Sequence, residues 1–161
     1  RNSLRKESPK QRNPAKQFAT QLHGSFPSLY SLQRMVSVAR RFKNQLAENS
    51  KTLSKYDLIP ESCHNEVEAW RKPRKTDLPV IVRDVTESAF EKSAIQAFSK
   101  TISFRSSLKP LQVRMRGADR LSRLLEPIFF FDYVSVYLGI LRGVDPTPVS
   151  GIDEYKKRLE A

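Results

Sequence analysis

The sequence predicts an α/β fold with a mostly parallel sheet, and three observations carry that prediction. Stretches with apolar residues at helical spacing take turns along the chain with short alternating or β-branched runs. No tight hairpin signal joins neighbouring strand candidates, so the strands must connect through helices. Residues 78–82, LPVIV, form a continuous apolar run of the kind that parallel sheets bury on both faces.

Each element follows from local pattern. Residues 1–13 are polar and basic, with Pro9 inside and Pro14 next, and read as a linker or tail; 14–161 read as one domain. A helix over 14–23 places Phe18, Ala19 and Leu22 on one side and ends at Gly24. FPSLYSL at 26–32 is a strand. Met35, Val38, Ala39, Phe42 and Leu46 then recur at helical spacing, which predicts a helix over 33–48. A weaker extended segment covers 52–59, and Pro60 opens a short helix over 61–70. After the 78–82 strand, Asp84 and Glu87 have capping-box spacing, ahead of a helix carrying Phe90, Ala94, Phe98 and Ile102. Leu111, Val113 and Met115 alternate with Gln112, Arg114 and Arg116, giving a strand with one polar face. Residues 119–141 form the most apolar helix, kinked or restarted at Pro127. With so little polar face it belongs under the sheet or in a subunit contact. A last helix follows the turn at 145–148 and turns Ile152, Tyr155 and Leu159 inward.

Composition narrows the functional classes. The chain has 161 residues, enough for one core, and 39% hydrophobic with 29% charged residues is a folded, soluble balance. The longest apolar candidate, 128–141, is interrupted by Asp132 and falls short of the roughly 18 residues a membrane helix needs. The start shows no signal-peptide pattern. One cysteine, Cys63, cannot form an internal disulfide, so a cytoplasmic setting is expected. Two histidines and one cysteine argue against a zinc site. The chain opens with Arg1 rather than Met and is expected to be a fragment, a processed product or the interior of a longer polypeptide.

Net charge is +12 and uneven, since residues 1–43 hold ten basic residues against the single acid Glu7. Such a patch suits nucleic acid or an anionic metabolite. No reading helix or stacking aromatic platform accompanies it, which argues against nucleic acid.

Two titratable side chains stand out. Glu48 lies at the end of an amphipathic helix, and His64 follows sixteen residues later. A carboxylate and an imidazole are the minimum equipment for moving protons on a sugar. Taken alone, either is as well explained by an ordinary surface residue. The surrounding text adds to them: NPAK at 13–16, RFKNQLAENSK at 41–51, PESCHNEVEAW at 60–70 and DYVSVYLGILRGVDPTPVSGIDEYKKRL at 132–159, in that order.

Together these segments resemble the carboxyl-terminal half of bifunctional phosphoglucose/phosphomannose isomerases, enzymes of two sugar-isomerase (SIS) domains. The resemblance implies a SIS-type three-layer α-β-α fold and no cofactor. It places Glu48 as the enediol-forming base and His64 as the ring-opening histidine, supplied by the neighbouring subunit of a homodimer. It puts a lysine of the last helix near the sugar, Lys156 first and Lys157 in reserve, and Thr147 near the carbon that distinguishes glucose from mannose. The family holds the phosphate mainly with a Ser/Thr-rich loop of its amino-terminal SIS domain, which this chain lacks; SFPSLYSL at 25–32 has no glycine after the strand. The expected activity is therefore interconversion of fructose 6-phosphate with glucose 6-phosphate and mannose 6-phosphate, with this chain as half of the enzyme. A non-catalytic sugar-phosphate sensor with a nucleic-acid-binding arm, and a degenerate dimerisation domain, remain open alternatives.

Overall fold

The computed structural model describes residues 2–114 and 117–160; Arg1, Met115, Arg116 and Ala161 lie outside the described residues. Strands β1 (Phe26–Leu32), β2 (Lys55–Ile59), β3 (Asp77–Arg83) and β4 (Leu111–Arg114) form one sheet in the order β2-β1-β3-β4. Every described pairing is parallel. The helices are α1 (Pro14–Leu22), α2 (Val36–Ser50), α3 (Glu66–Ala69), α4 (Ala89–Ser106), α5 (Arg120–Leu141) and α6 (Ser150–Leu159).

Strand alternation divides the apolar residues between two cores. Leu29, Val80, Val82 and Val113 face α1, α2 and α5, where Phe18, Phe42, Leu46, Phe131 and Leu138 are buried. Tyr30, Leu32 and Ile81 face the other way, onto Trp70 and Ile95, Phe98 and Ile102 of α4. Both faces of β3 are thus covered, and its run is apolar throughout. The result is the three-layer α-β-α arrangement.

In the first core Phe42 stacks on Phe131 at 3.9 Å between ring centroids. The α2–α5 crossing is tightest at Gly139, where a Cβ would meet the Asn49 carbonyl oxygen at 2.6 Å. Asn49 Nδ2 also donates to Ser135 Oγ at 2.8 Å, so the end of α2 is fixed to α5 by packing and by hydrogen bonding. In the second core the buried Tyr30 hydroxyl donates to Glu66 at 2.7 Å and accepts from Trp70 Nε1 at 3.0 Å. Burial, then the Glu66 hydrogen bond, push that phenol's pKa far upward.

Several expectations need correction. The capping box before α4 is Ser88 with Glu91, not Asp84 with Glu87. Glu87 instead accepts from the Asp84 backbone N–H at 3.1 Å, while Asp84 accepts from Thr86. The apolar stripe of α4 accordingly runs through Ile95, Phe98 and Ile102, and Phe90 is 77% exposed. The 61–70 helix is two pieces, a 3-10 turn at Glu61–Cys63 and the single turn of α3, because Asn65 caps α3 and interrupts the run. Cys63 is half-buried against the second core. Helix α5 runs unbroken through Pro127. It is long and apolar enough to cross a membrane, yet it buries Phe131, Val134, Tyr137 and Leu138 against α1 and α2. Ile152, Tyr155 and Leu159 are exposed rather than inward, and no residue of α6 is buried.

The segment read as a linker lies against the domain. Leu4 is buried, its carbonyl accepts from the Tyr137 hydroxyl, and Lys16 Nζ donates to the carbonyls of Lys6 and Ser8 at 2.6 and 2.9 Å. The buried Asn13 side chain caps α1 by accepting from Ala15 N and Lys16 N, both at 3.1 Å.

Candidate active site

A parallel β-α-β unit sends its helix back from the carboxyl edge of the sheet to the amino edge, and α2 does so between β1 and β2. Glu48 therefore sits near the amino edge, in the last turn of α2. Its exposed side chain lines a shallow groove of about 540 Å3 with Val36, Arg40, Arg41, Asn44, Gln45 and Tyr56 of β2. Arg41 is held by Asp132 at 2.8 Å, and that hydrogen bond raises its pKa further. Among the described residues no hydrogen bond or ion pair engages the Glu48 carboxylate, which leaves it available to a ligand beside two guanidinium groups.

His64 lies beyond β2, at the carboxyl edge. It closes the Glu61–Cys63 turn, donating its backbone N–H to Glu61 O at 3.0 Å, and its exposed ring lines a cleft with Gln33, Pro60, Glu61 and Asn65. Glu61 lines the same cleft, and Glu66 and Glu68 follow within four residues of His64. Glu66 is taken up by Tyr30 and Lys55, whereas Glu61 is exposed. Within one copy of the chain, then, Glu48 and His64 stand at opposite ends of the β2 flank and share no groove.

Thr147 is close to the Glu48 end. The turn that carries it is fastened there by Lys51, whose Nζ donates to Glu48 O at 2.5 Å and to Pro148 O at 2.7 Å. Thr147 N donates to Asp145 Oδ1 at 2.9 Å. That hydrogen bond, then the Thr147 hydroxyl and the charge of Lys51, hold the Asp145 carboxyl below its usual range. Lys156 and Lys157 lie on α6, which continues from this turn, and both are exposed. The structure thus brings Glu48, Thr147 and the start of α6 to one corner and leaves His64 apart.

The sequence did not reveal what fills the carboxyl edge. Connections from β1 and from β3 leave in opposite directions, so the crevice between their ends is the topological switch point, where open α/β sheets seat ligands. Here Arg34 spans it, donating to Thr86 O at 3.1 Å and pairing with Glu91. Asp84, 5% exposed, accepts from Thr86 Oγ1 at 2.7 Å and lies 3.4 Å from Arg123. Glu87, 4% exposed, pairs with Arg83 and lies 3.6 Å from Arg114. Buried carboxylates and their arginine partners line the crevice. The D-V-T turn at 84–86, one residue past the 78–82 run, was the available signal, but its distant partners Arg34 and Arg123 come from two other segments. Among the described residues no group of three or more His, Cys, Asp or Glu side chains is gathered as a metal site would require.

Sheet order, parallel pairing and the two helical layers define an α/β domain of the sugar-isomerase type. The family described as the bacterial phospho-glucose isomerase C-terminal SIS domain matches residues 11–159, and the chain belongs to that family. It is 31% identical to a bifunctional phosphoglucose/phosphomannose isomerase of Aquifex aeolicus over 90% of its own length and 46% of that protein. A relative of the same name in Caldicellulosiruptor bescii is 29% identical over 99% of the chain and 48% of its own length. The chain thus spans about half the length of the curated relatives it matches. Among solved structures, a glucose-6-phosphate isomerase-like protein from Thermus thermophilus superposes with a TM-score of 0.70 at 24% identity, over 90% of this chain and 49% of that one. The C-terminal domain of a glucosamine-fructose-6-phosphate aminotransferase from Francisella tularensis gives a TM-score of 0.62 at 11% identity, over 81% and 40%. These two support the fold.

Proposed function

We propose that this chain is the carboxyl-terminal half of a metal-independent phosphoglucose/phosphomannose isomerase of the cytoplasm. It would interconvert fructose 6-phosphate with glucose 6-phosphate and mannose 6-phosphate, the hexose phosphates of glycolysis and gluconeogenesis, without a cofactor. The observation that carries the reading is the exposed Glu48 carboxylate in an arginine-lined groove, inside a chain that matches the isomerase SIS family over nearly its whole length. Glu48 takes the proton from C2 of the aldose and returns it to C1 of a cis-enediol, over one face of the sugar. His64 opens the ring by protonating its oxygen. Lys156 stands near the oxygen where negative charge develops, and Thr147 faces the carbon at which glucose and mannose differ.

The position of His64 favours a homodimer. A two-fold axis beside the exposed edge strand β2 would lay the carboxyl end of one flank against the amino end of the other. The charges agree with this: residues 60–69 carry Glu61, Glu66 and Glu68 and no Lys or Arg, while the Glu48 groove carries Arg40 and Arg41. The amino-terminal SIS domain would supply the phosphate loop; the ion pairs that line the switch-point crevice of this half support that reading. Assay of the full-length protein with fructose 6-phosphate decides the matter. Turnover that disappears in Glu48→Gln supports the reading, and undiminished turnover in that variant removes it.

A further inference from the structure

Lys51 is one of two described non-glycine residues with positive φ, at φ 52 and ψ 37, and it ends α2 in the left-handed conformation. Glycine is the usual residue there, because a Cβ makes that backbone region unfavourable. The backbone bond that ends the helix, from Thr52 N to Leu46 O at 3.0 Å, needs no side chain at position 51. A lysine at this place therefore carries a small local penalty that the helix end itself does not explain, and its side chain must account for it.

The Lys51 ammonium makes two directed hydrogen bonds, to the carbonyl of Glu48 one turn earlier and to the carbonyl of Pro148, 97 positions along the chain. Its own carbonyl accepts from Arg142 Nη2 at 3.5 Å, at the end of α5. Asp145, which shapes the turn by accepting from Thr147 N, lies within the field of the same ammonium. The last turn of α2 leaves one of its carbonyls without an intrahelical partner, as any helix end does. The turn at 145–148 is exposed and rests on little apolar packing. A single donor group satisfies both and fixes one against the other.

We infer that Lys51 is a positioning residue that sets the distance between the end of α2 bearing Glu48 and the 145–148 turn bearing Thr147, and with it the entry of α6. The inference rests on the proposed isomerase reading, in which those two side chains approach the same sugar. Lys51 touches only backbone and acts through Glu48 and Thr147. Proton transfer is sensitive to sub-ångström placement of the base, so loss of the tether weakens the chemical step more than substrate capture.

The test uses Lys51→Gly and Lys51→Met in the full-length protein. Glycine relieves the backbone penalty while deleting the ammonium, and methionine keeps the apolar stem without the donors. Both variants are expected to lower kcat for fructose 6-phosphate by about 10- to 100-fold with KM within about threefold. The melting temperature of Lys51→Gly should equal or exceed that of the wild type. Amide hydrogen exchange should quicken at Thr147, Val149 and Ser150 and stay unchanged at residues 42–47. Unchanged exchange in the turn overturns the tether. A kcat for Lys51→Gly within twofold of wild type overturns its role in positioning. A fall in activity that merely follows a fall in melting temperature also overturns it. If the wild-type protein turns over no hexose phosphate, the isomerase reading fails instead, and the exchange comparison still decides whether the tether exists.

Discussion

At the scale of single residues the chain combines groups held rigidly with groups left open. Glu48 is open, and replacing it with Gln removes the one carboxylate among the described residues that line its groove, the base of the proposed reaction. We expect kcat to fall by roughly 10²- to 10⁴-fold, the usual contribution of a general base, with the fold unchanged by circular dichroism. Asp84 is the opposite case. Burial works against its charge, but hydrogen bonds from Thr86 and the nearby Arg123 outweigh that and hold its carboxyl below the ordinary range. A carboxyl depressed in the folded state stabilises above its unfolded pKa, about 3.9, and loses that contribution as pH falls through the folded value. Asp84→Asn should therefore be less stable at neutral pH, by about 1–3 kcal/mol. The gap in melting temperature between variant and wild type should close as pH drops below about 4. A gap that stays constant down to pH 3 would assign the loss to packing rather than charge.

At the scale of elements the crossing of α2 and α5 governs where Glu48 can be. Gly139→Ala forces a methyl group toward the Asn49 carbonyl, one residue from Glu48. Alanine is the better helix former by about 1 kcal/mol, but overpacking against backbone costs about 1–3 kcal/mol, and we expect net destabilisation in urea titration. Much of this level was legible in advance. The bounds of β1 and the burial of Phe18, Ala19 and Leu22 on α1 follow from periodicity, because both elements bury one regular face or two. The misreadings share one cause. Asp84–Glu87 and Ser88–Glu91 have the same spacing, and only the tertiary partners of Asp84 decide between them. In α6 the periodic apolar residues were real, but periodicity reveals that a face is apolar and not what covers it. Glu48 and His64 were singled out only through the surrounding family text, since nothing local distinguishes them from surface residues.

At the scale of the whole molecule, Glu48 and His64 line separate grooves at opposite ends of the β2 flank in one copy. If each site draws Glu48 from one subunit and His64 from the other, two inactive variants should complement. Mixing Glu48→Gln with His64→Ala under subunit exchange creates heterodimers with one intact site and one doubly defective site. Statistical pairing then restores about a quarter of wild-type activity. Recovery at the level of either variant alone would place both groups on the same subunit.

The plugged crevice at the carboxyl edge sets a limit on shortening such a protein. Arg34, Asp84, Thr86 and Glu91 partner one another at the switch-point crevice, the seat where open α/β sheets take ligands. On the proposed reading, a catalyst cut down to this unit would need its phosphate grip from another domain. Any attempt to make it self-sufficient must first excavate that seat, and the removal of Asp84 carries its own toll in folding.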